Sequence, residues 1–323
     1  MLIKLAGADL ATCSYGISPM LETHCALRLL AGADPAGVLT PWVERRRGRL
    51  AELRRAVPEV GALAALFRKG GYNSDFLLPG PVGPGGSFAE ELDALRATPP
   101  EVARAEIDLN LRGHRGPAEY ARRILAAPDV VDRLAHALDA GWRTLIEPEW
   151  PRLRAILERD IVHRAGRLAA YGWAAALDRM HPRVTWADGA IAIRMTGDDD
   201  VFEVKGQGLM FTPTVFGDLI VRHKPPQPFN VAYRARGVAD SLGPPAPPHD
   251  DTLGPLLGAG RAAVLRALTG PATTSQLVAQ LGLSLGTVGG HLAVLHAAGL
   301  VTRTRTGRSV TYATTDLGLQ LLA

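Results

Sequence analysis

The longest regular pattern in the chain runs from about Glu149 to Met180. Leu153, Ile156, Leu157, Ile161, Leu168 and Tyr171 return at helical spacing and predict one long amphipathic helix. Opposite charges four apart, Arg154–Glu158 and Asp160–Arg164, fall on its wet side, and Pro182 stops it. Its apolar stripe is wide enough to serve either a core or a dimer seam. Upstream, Ser18-Pro19 followed by Glu22 reads as a helix start, with Ser18 as cap and Pro19 in the first turn. The rest of residues 1–182 is mostly helical by pattern, broken by the glycine- and proline-rich stretch from Pro79 to Ser87.

Between 183 and 237 the period drops to that of strands. Val184-Thr185-Trp186, the Asp188-Gly189 turn and Ala190 to Met195 read as a hairpin. Val201–Val204 and Leu209–Thr212 extend it around Gly206-Gln207-Gly208; Pro213 ends that strand, and Val231-Ala232-Tyr233 adds an edge. Gly243 to Asp251, with four prolines in five residues, then forms a stiff linker.

Beyond the linker, Leu256, Leu257, Ala263, Val264, Ala267 and Leu268 line one helix face that Gly270-Pro271 closes. Thr273-Thr274-Ser275 caps a second helix, Gln276 to Leu281, ended by Gly282. Ser284 caps a third, Leu285 to Ala298, ended by Gly299. Two β-rich runs, 300–305 and 309–312, flank Thr306-Gly307-Arg308. That order is a winged helix-turn-helix, whose third helix enters the DNA major groove. The predicted class is mainly α with a small antiparallel β region. It comprises a helical body 1–182, a β region 183–238 completing the N-terminal domain, a linker 239–252 and a winged helix-turn-helix 253–323.

Composition narrows the function classes. At 323 residues, 47% hydrophobic and 21% charged, the chain suits two folded domains and excludes wholesale disorder. No apolar run approaches the roughly 18 residues that span a bilayer. Two cysteines cannot build a disulfide framework and fit a reducing compartment. A cytoplasmic protein with no membrane partner is expected. Residues 252–323 hold five arginines (Arg261, Arg266, Arg303, Arg305 and Arg308) against one acid, Asp316, which accounts for the whole formal excess of +4. A basic patch on a small domain attracts polyanions, double-stranded DNA first among them.

The residues of this module carry a resemblance. Arg261…Val264-Leu265…Leu268, Gln276-Leu277, Leu283-Ser284, Thr287-Val288, His291-Leu292…Leu295, Ala298-Gly299-Leu300-Val301 and Gly307-Arg308…Tyr312 are similar to the ArsR-type winged-helix transcriptional regulators. Upstream, Asp9-Leu10, Ser18-Pro19…Glu22, Pro41-Trp42, Asp75-Phe76-Leu77, Glu91-Leu92, Trp150-Pro151, Gly208-Leu209, Pro213…Val215-Phe216 and Arg236-Gly237 resemble the N-terminal domain of a two-domain branch from high-GC bacteria. The 32 arginines against 4 lysines fit such a genome. The resemblance implies a homodimeric DNA-binding regulator.

The third helix departs from the family pattern. With Val288, Leu292 and Leu295 inward, the opposite face is Gly286, Gly290, Ala293 and Ala297, with Gly289 beside it. Base readout needs donors or acceptors in the groove. Ser284, Thr287 and His291 at the margins are the polar candidates, and Arg303, Arg305 and Arg308 on the wing are the phosphate or minor-groove candidates. Two accounts fit this bareness: binding carried by the wing with modest sequence preference, or a face that packs on another helix while DNA binding is weak or lost.

Other chemistries find little footing. Cys13, His24 and Cys25 form the only loose soft-metal cluster, and His24 and Cys25 as helix neighbours diverge by about 100°. Asp198-Asp199-Asp200 lacks the spacing of a calcium loop, and Gly206-x-Gly208 precedes a strand rather than a helix. None of the HExxH, GxSxG or GxxxxGK[ST] patterns occurs. The chain is therefore expected to be no enzyme and to need neither metal nor cofactor. The tryptophans, all outside the winged helix, allow a small organic effector to bind the helical body.

Overall fold

The computed structural model describes residues 2–4, 9–10, 12–69, 73–81, 85–112, 116–187, 189–194, 201–206, 208–222, 229–242, 253–268, 270–306 and 309–322. The chain folds as two compact units. One holds Met1–Trp150 and Leu177–Pro244; the other holds Pro151–Ala176 and Pro245–Ala323. The long helix, predicted as part of the helical body, thus groups over 151–176 with the C-terminal module.

The first unit is built around α1, Pro19–Leu30, every residue of which is buried. Ser18 caps it by accepting from the Leu21 amide, as its position before Pro19 predicts. A helix buried on all sides must satisfy its polar side chains inside the protein. Glu22 accepts from the Val215 and Phe216 amides at 2.9 and 3.3 Å. Arg28 pairs with Asp34 and donates to the Arg68 carbonyl. Burial pushes the Glu22 carboxyl up to about 7. It pushes the imidazole of His24, which stands edge-on to Phe67, down to about 3. Against α1 pack α2 (Thr40–Ala56), α4 (Phe88–Arg96) and α7 (Val130–Gly141), and α7 in turn carries α3 (Pro58–Ala64), α5 (Pro100–Leu111) and α6 (Glu119–Leu125). Glu91 of α4 reaches the open N-terminus of α1 and accepts from the Met20 amide at 2.8 Å; burial raises its pKa to about 8.

The β region consists of two four-stranded sheets and is mixed rather than wholly antiparallel, because two N-terminal strands enter it in parallel and because the strands 209–214 and 229–234 within it pair parallel. In the first sheet, β1 (Leu2–Lys4) inserts between β4 (Ala190–Ile193) and β5 (Val201–Glu203), parallel to β5. There β3 (Val184–Ala187) and β4 form the predicted hairpin; its Asp188, like the acidic run 198–200, lies outside the described residues. In the second sheet, β2 (Ser14–Tyr15), β6 (Leu209–Thr214) and β8 (Phe229–Arg234) are parallel, and β7 (Ile220–Arg222) closes the edge. β5 and β6 therefore lie in different sheets instead of extending one hairpin. Pro213 does not end β6: β2 pairs only with Met210 and Phe211, so the missing amide costs no ladder bond. The run 231–233 is interior to the sheet, with β7 outside it. The α9 helix (Val238–Leu242) follows.

In the second unit, α8 (Trp150–Leu177) contributes residues 151–176. Arg154 and Glu158 pair on its exposed side at 2.8 Å. Asp160 and Arg164, predicted on the wet side, are instead buried at 2% and 1% exposure and joined at 3.0 Å. Gly172 explains the difference. Its φ of 78° and ψ of −174° lie in a region open essentially to glycine alone. The chain turns back there, and the Ala176 carbonyl accepts from Arg164 at 2.7 Å.

The rest of this unit is the winged helix: α10 (Leu253–Leu257), α11 (Ala259–Ala267), β9 (Ala272–Thr273), α12 (Thr274–Leu281), α13 (Leu285–Ala297), β10 (Val301–Thr306), β11 (Ser309–Thr314) and α14 (Asp316–Leu322). The first predicted helix is broken in two at Gly258, whose φ is 83°. The mainly helical class with small sheets holds.

Candidate nucleic-acid interface

The helix-turn-helix begins with a reciprocal cap. Thr273 accepts from the Gln276 amide, and Gln276 accepts from the Thr273 amide at 2.8 Å. Gly282, left-handed at φ 67°, ends α12 and turns the chain into α13. The two helices meet at 117°, within the range of this motif. Ser284 caps α13 by accepting from the Thr287 amide at 3.2 Å, and the two hydroxyls bond at 2.8 Å. Val288, Leu292 and Leu295 are at most 1% exposed and pack with Val264, Leu265, Leu268, Leu277, Leu300 and Val301. This anchoring fixes which face of α13 looks outward.

That outward face is open. Gly286, Gly290, Ala293 and Ala297 are exposed, and a Cβ added at Gly289 or Gly290 would meet nothing within 4 Å. Leu285 and Val294, 61% and 47% exposed, add apolar area beside it that the sequence reading did not single out. Ser284 and Thr287 are exposed together at its N-terminal end. His291 does not join them. It is half-buried and turned toward α11, where a Cβ added at Gly260 would lie 2.5 Å from its Nε2. The only advance signal was Gly260 itself, a gap in an otherwise side-chain-bearing helix.

The wing is a ladder from Val301↔Thr314 to Thr306↔Ser309, with β9 pairing on the far side of β11. Alternation along β10 places Arg303 and Arg305 on the same face as buried Val301, the face turned toward the helices. Both arginines are exposed; Arg308 lies outside the described residues. Arg303 makes no ion pair among the described residues.

The long helix is fastened to α12 by two side-chain hydrogen bonds. Gln276 of α12 donates to Glu158 at 3.2 Å, and Arg159 donates to Gln280. Burial lowers the pKa of Arg159 below the usual guanidinium range. With this helix included, the second unit holds ten arginines against five acids, a formal net charge of +5; the first unit carries −1. The basic excess is thus greater than the winged helix alone supplies, and it belongs to the unit that carries the open face and the wing.

Two stretches of the chain match family models, and the upstream one includes residues 151–176, which the fold groups with the C-terminal module. Residues 261–304 match the model of a helix-turn-helix domain, and residues 99–239 match that of a family of unknown function, DUF5937. No curated protein and no solved structure matches the chain. Fold, geometry and domain match together support a two-domain helix-turn-helix regulator with a DNA-binding C-terminal domain. Among the described residues, no single helix is long and apolar enough to cross a membrane.

Proposed function

We propose that the protein is an ArsR-like, homodimeric transcriptional regulator that binds promoter DNA and responds to a small organic effector without catalysing a reaction. Helix Leu285–Ala297 lies along the major groove, and the wing holds phosphates or the adjoining minor groove. The observation that carries this reading is the open face of α13 on the +5 unit that also presents Arg303 and Arg305. A twofold dimer spaces its reading helices about 34–36 Å apart, so the operator is a pseudo-palindrome. With so few donors on α13, affinity comes mainly from backbone contacts and preference from Ser284, Thr287 and shape.

The test is a titration of the full chain against its own upstream intergenic duplex and a scrambled duplex at two salt concentrations. The expected result is a preference of about a thousandfold for the native duplex. Equal, steeply salt-dependent binding to both would leave only the basic surface at work. Sedimentation equilibrium of the same preparation tests the dimer. The exposed apolar residues Leu285 and Val294 favour one second reading, a winged helix that binds a protein partner through α13. Absence of binding to either duplex, with and without effector, would select it.

A further inference from the structure

The first unit contains a groove of about 410 Å³ between α4 and the segment that follows α7. A volume of this size accommodates a small drug-like molecule. Its apolar side is Phe88, Leu92 and Trp142, with the Phe88 and Trp142 rings stacked at 4.7 Å and an interplanar angle of 7°. Trp150 stands edge-on behind Trp142 at 5.3 Å. Trp142 opens a turn of π-helix, Trp142–Ile146, a distortion that recurs at functional sites.

The polar rim decides the ligand's charge. Arg96 is paired with Asp93 at 3.4 Å and Arg143 with Asp139 at 3.1 Å, so both cations of the rim are already answered. The fifth charged residue, Glu147, is exposed and has no ion pair or hydrogen bond through its carboxylate among the described residues. The N-terminus of α4 offers no anion site either, since Ser87 and Glu90 close it in a capping box. What remains is the exposed margin of two largely buried rings, Phe88 and Trp142 at 7% and 9% exposure, beside one uncompensated carboxylate, a pairing that favours an aromatic organic cation.

We propose that this groove binds aromatic organic monocations and is the effector site of the regulator; the second half of this statement rests on the function proposed above. Chain connectivity supplies the regulatory route. Glu147 lies three residues before the start of α8, the helix whose residues Glu158 and Arg159 hold α12. A ligand held between Trp142 and Glu147 therefore acts on the segment from which that helix begins.

Three probes with one ring system separate charge from shape: (naphthylmethyl)trimethylammonium, naphthalenemethanol and naphthylacetate, titrated into the full chain by tryptophan fluorescence and calorimetry. The cation is expected to bind most tightly. Glu147→Gln, a surface change, should weaken it about fivefold and leave the neutral alcohol unchanged. Ala89→Arg, which fills the exposed groove mouth, should abolish binding of both. Anion binding equal to that of the cation, or an unchanged cation affinity in E147Q, would overturn the site. The effector role is read separately, by DNA titration with and without saturating cation. A shift in DNA affinity must be matched by an equal shift in cation affinity on adding DNA. No shift would overturn the effector role while the site stands, and DNA binding that fails both without and with the saturating cation would overturn the regulator reading instead.

Discussion

Replacing Gly289 and Gly290 together with alanine isolates what the bareness of the reading helix costs. Both lie inside α13, neither has a positive φ, and a Cβ at either position meets nothing within 4 Å. The substitution therefore adds no clash and removes only backbone freedom from the unfolded chain. Glycine in a helix interior costs about 0.8–1 kcal/mol relative to alanine, so the pair should stabilise the module by about 2 kcal/mol. That is roughly a thirtyfold shift in its unfolding equilibrium. Because the chain has two units, hydrogen exchange resolved to peptides spanning 285–297 is the appropriate measurement, with protection rising by about that factor. Gly318→Ala supplies a control of opposite sign, since its Cβ would lie 2.4 Å from the Leu300 carbonyl oxygen. Unchanged or lower protection in the Gly289/Gly290 variant would refute the reasoning, because it would mean that the outward face is occupied. DNA affinity of the same variant reports how closely that face approaches the groove.

Three further outcomes are expected. Alanine at Arg303 and Arg305 should weaken binding to all duplexes alike and reduce the salt slope by about 2, as measured by titration at several salt concentrations. Asp160→Ala should destabilise the second unit by about 3–5 kcal/mol in denaturant melts, because it leaves Arg164, 1% exposed, as a buried charge without its carboxylate. Glu22 makes the first unit pH-dependent. Its folded pKa of about 7 lies above the ordinary 4.5, so folding favours the protonated form. That contribution is complete below about pH 4.5 and is lost as pH rises through about 7. Denaturant midpoints should accordingly fall between pH 5 and 8, and Glu22→Gln, which keeps an acceptor for the Val215 and Phe216 amides, should flatten that fall.

Much of this architecture was determined by local chemistry that a sequence displays directly. The caps at Ser18, Thr273 and Ser284, the helix-ending Gly282, the paired wing strands Val301–Thr306 and Ser309–Thr314 and the inward triad Val288, Leu292 and Leu295 each rest on residues a few positions apart. Their backbone consequences do not depend on distant partners, which is why the helix-turn-helix and the wing strands were legible, while the break at Gly258 and the elements Ala272–Thr273 and Asp316–Leu322 were not. The bare outward face followed from the same helical periodicity.

Tertiary structure alone decided the features that depend on long-range pairing. Strands as short as Leu2–Lys4 and Ser14–Tyr15 carry no period of their own, and they become strands only because β4, β5 and β6 offer them edges. His291 has the spacing of a groove residue, but the missing side chain at Gly260 draws it against α11. Asp160–Arg164 has the spacing of an ordinary surface pair, and the positive φ of Gly172 encloses it by turning the chain back on itself. The same holds for the long helix. Its apolar stripe predicted burial of one face, which holds for Leu153, Ile156 and Leu157 and fails at Tyr171, 75% exposed beside the turn at Gly172; its polar residues Glu158 and Arg159 find partners in Gln276 and Gln280, more than a hundred residues away.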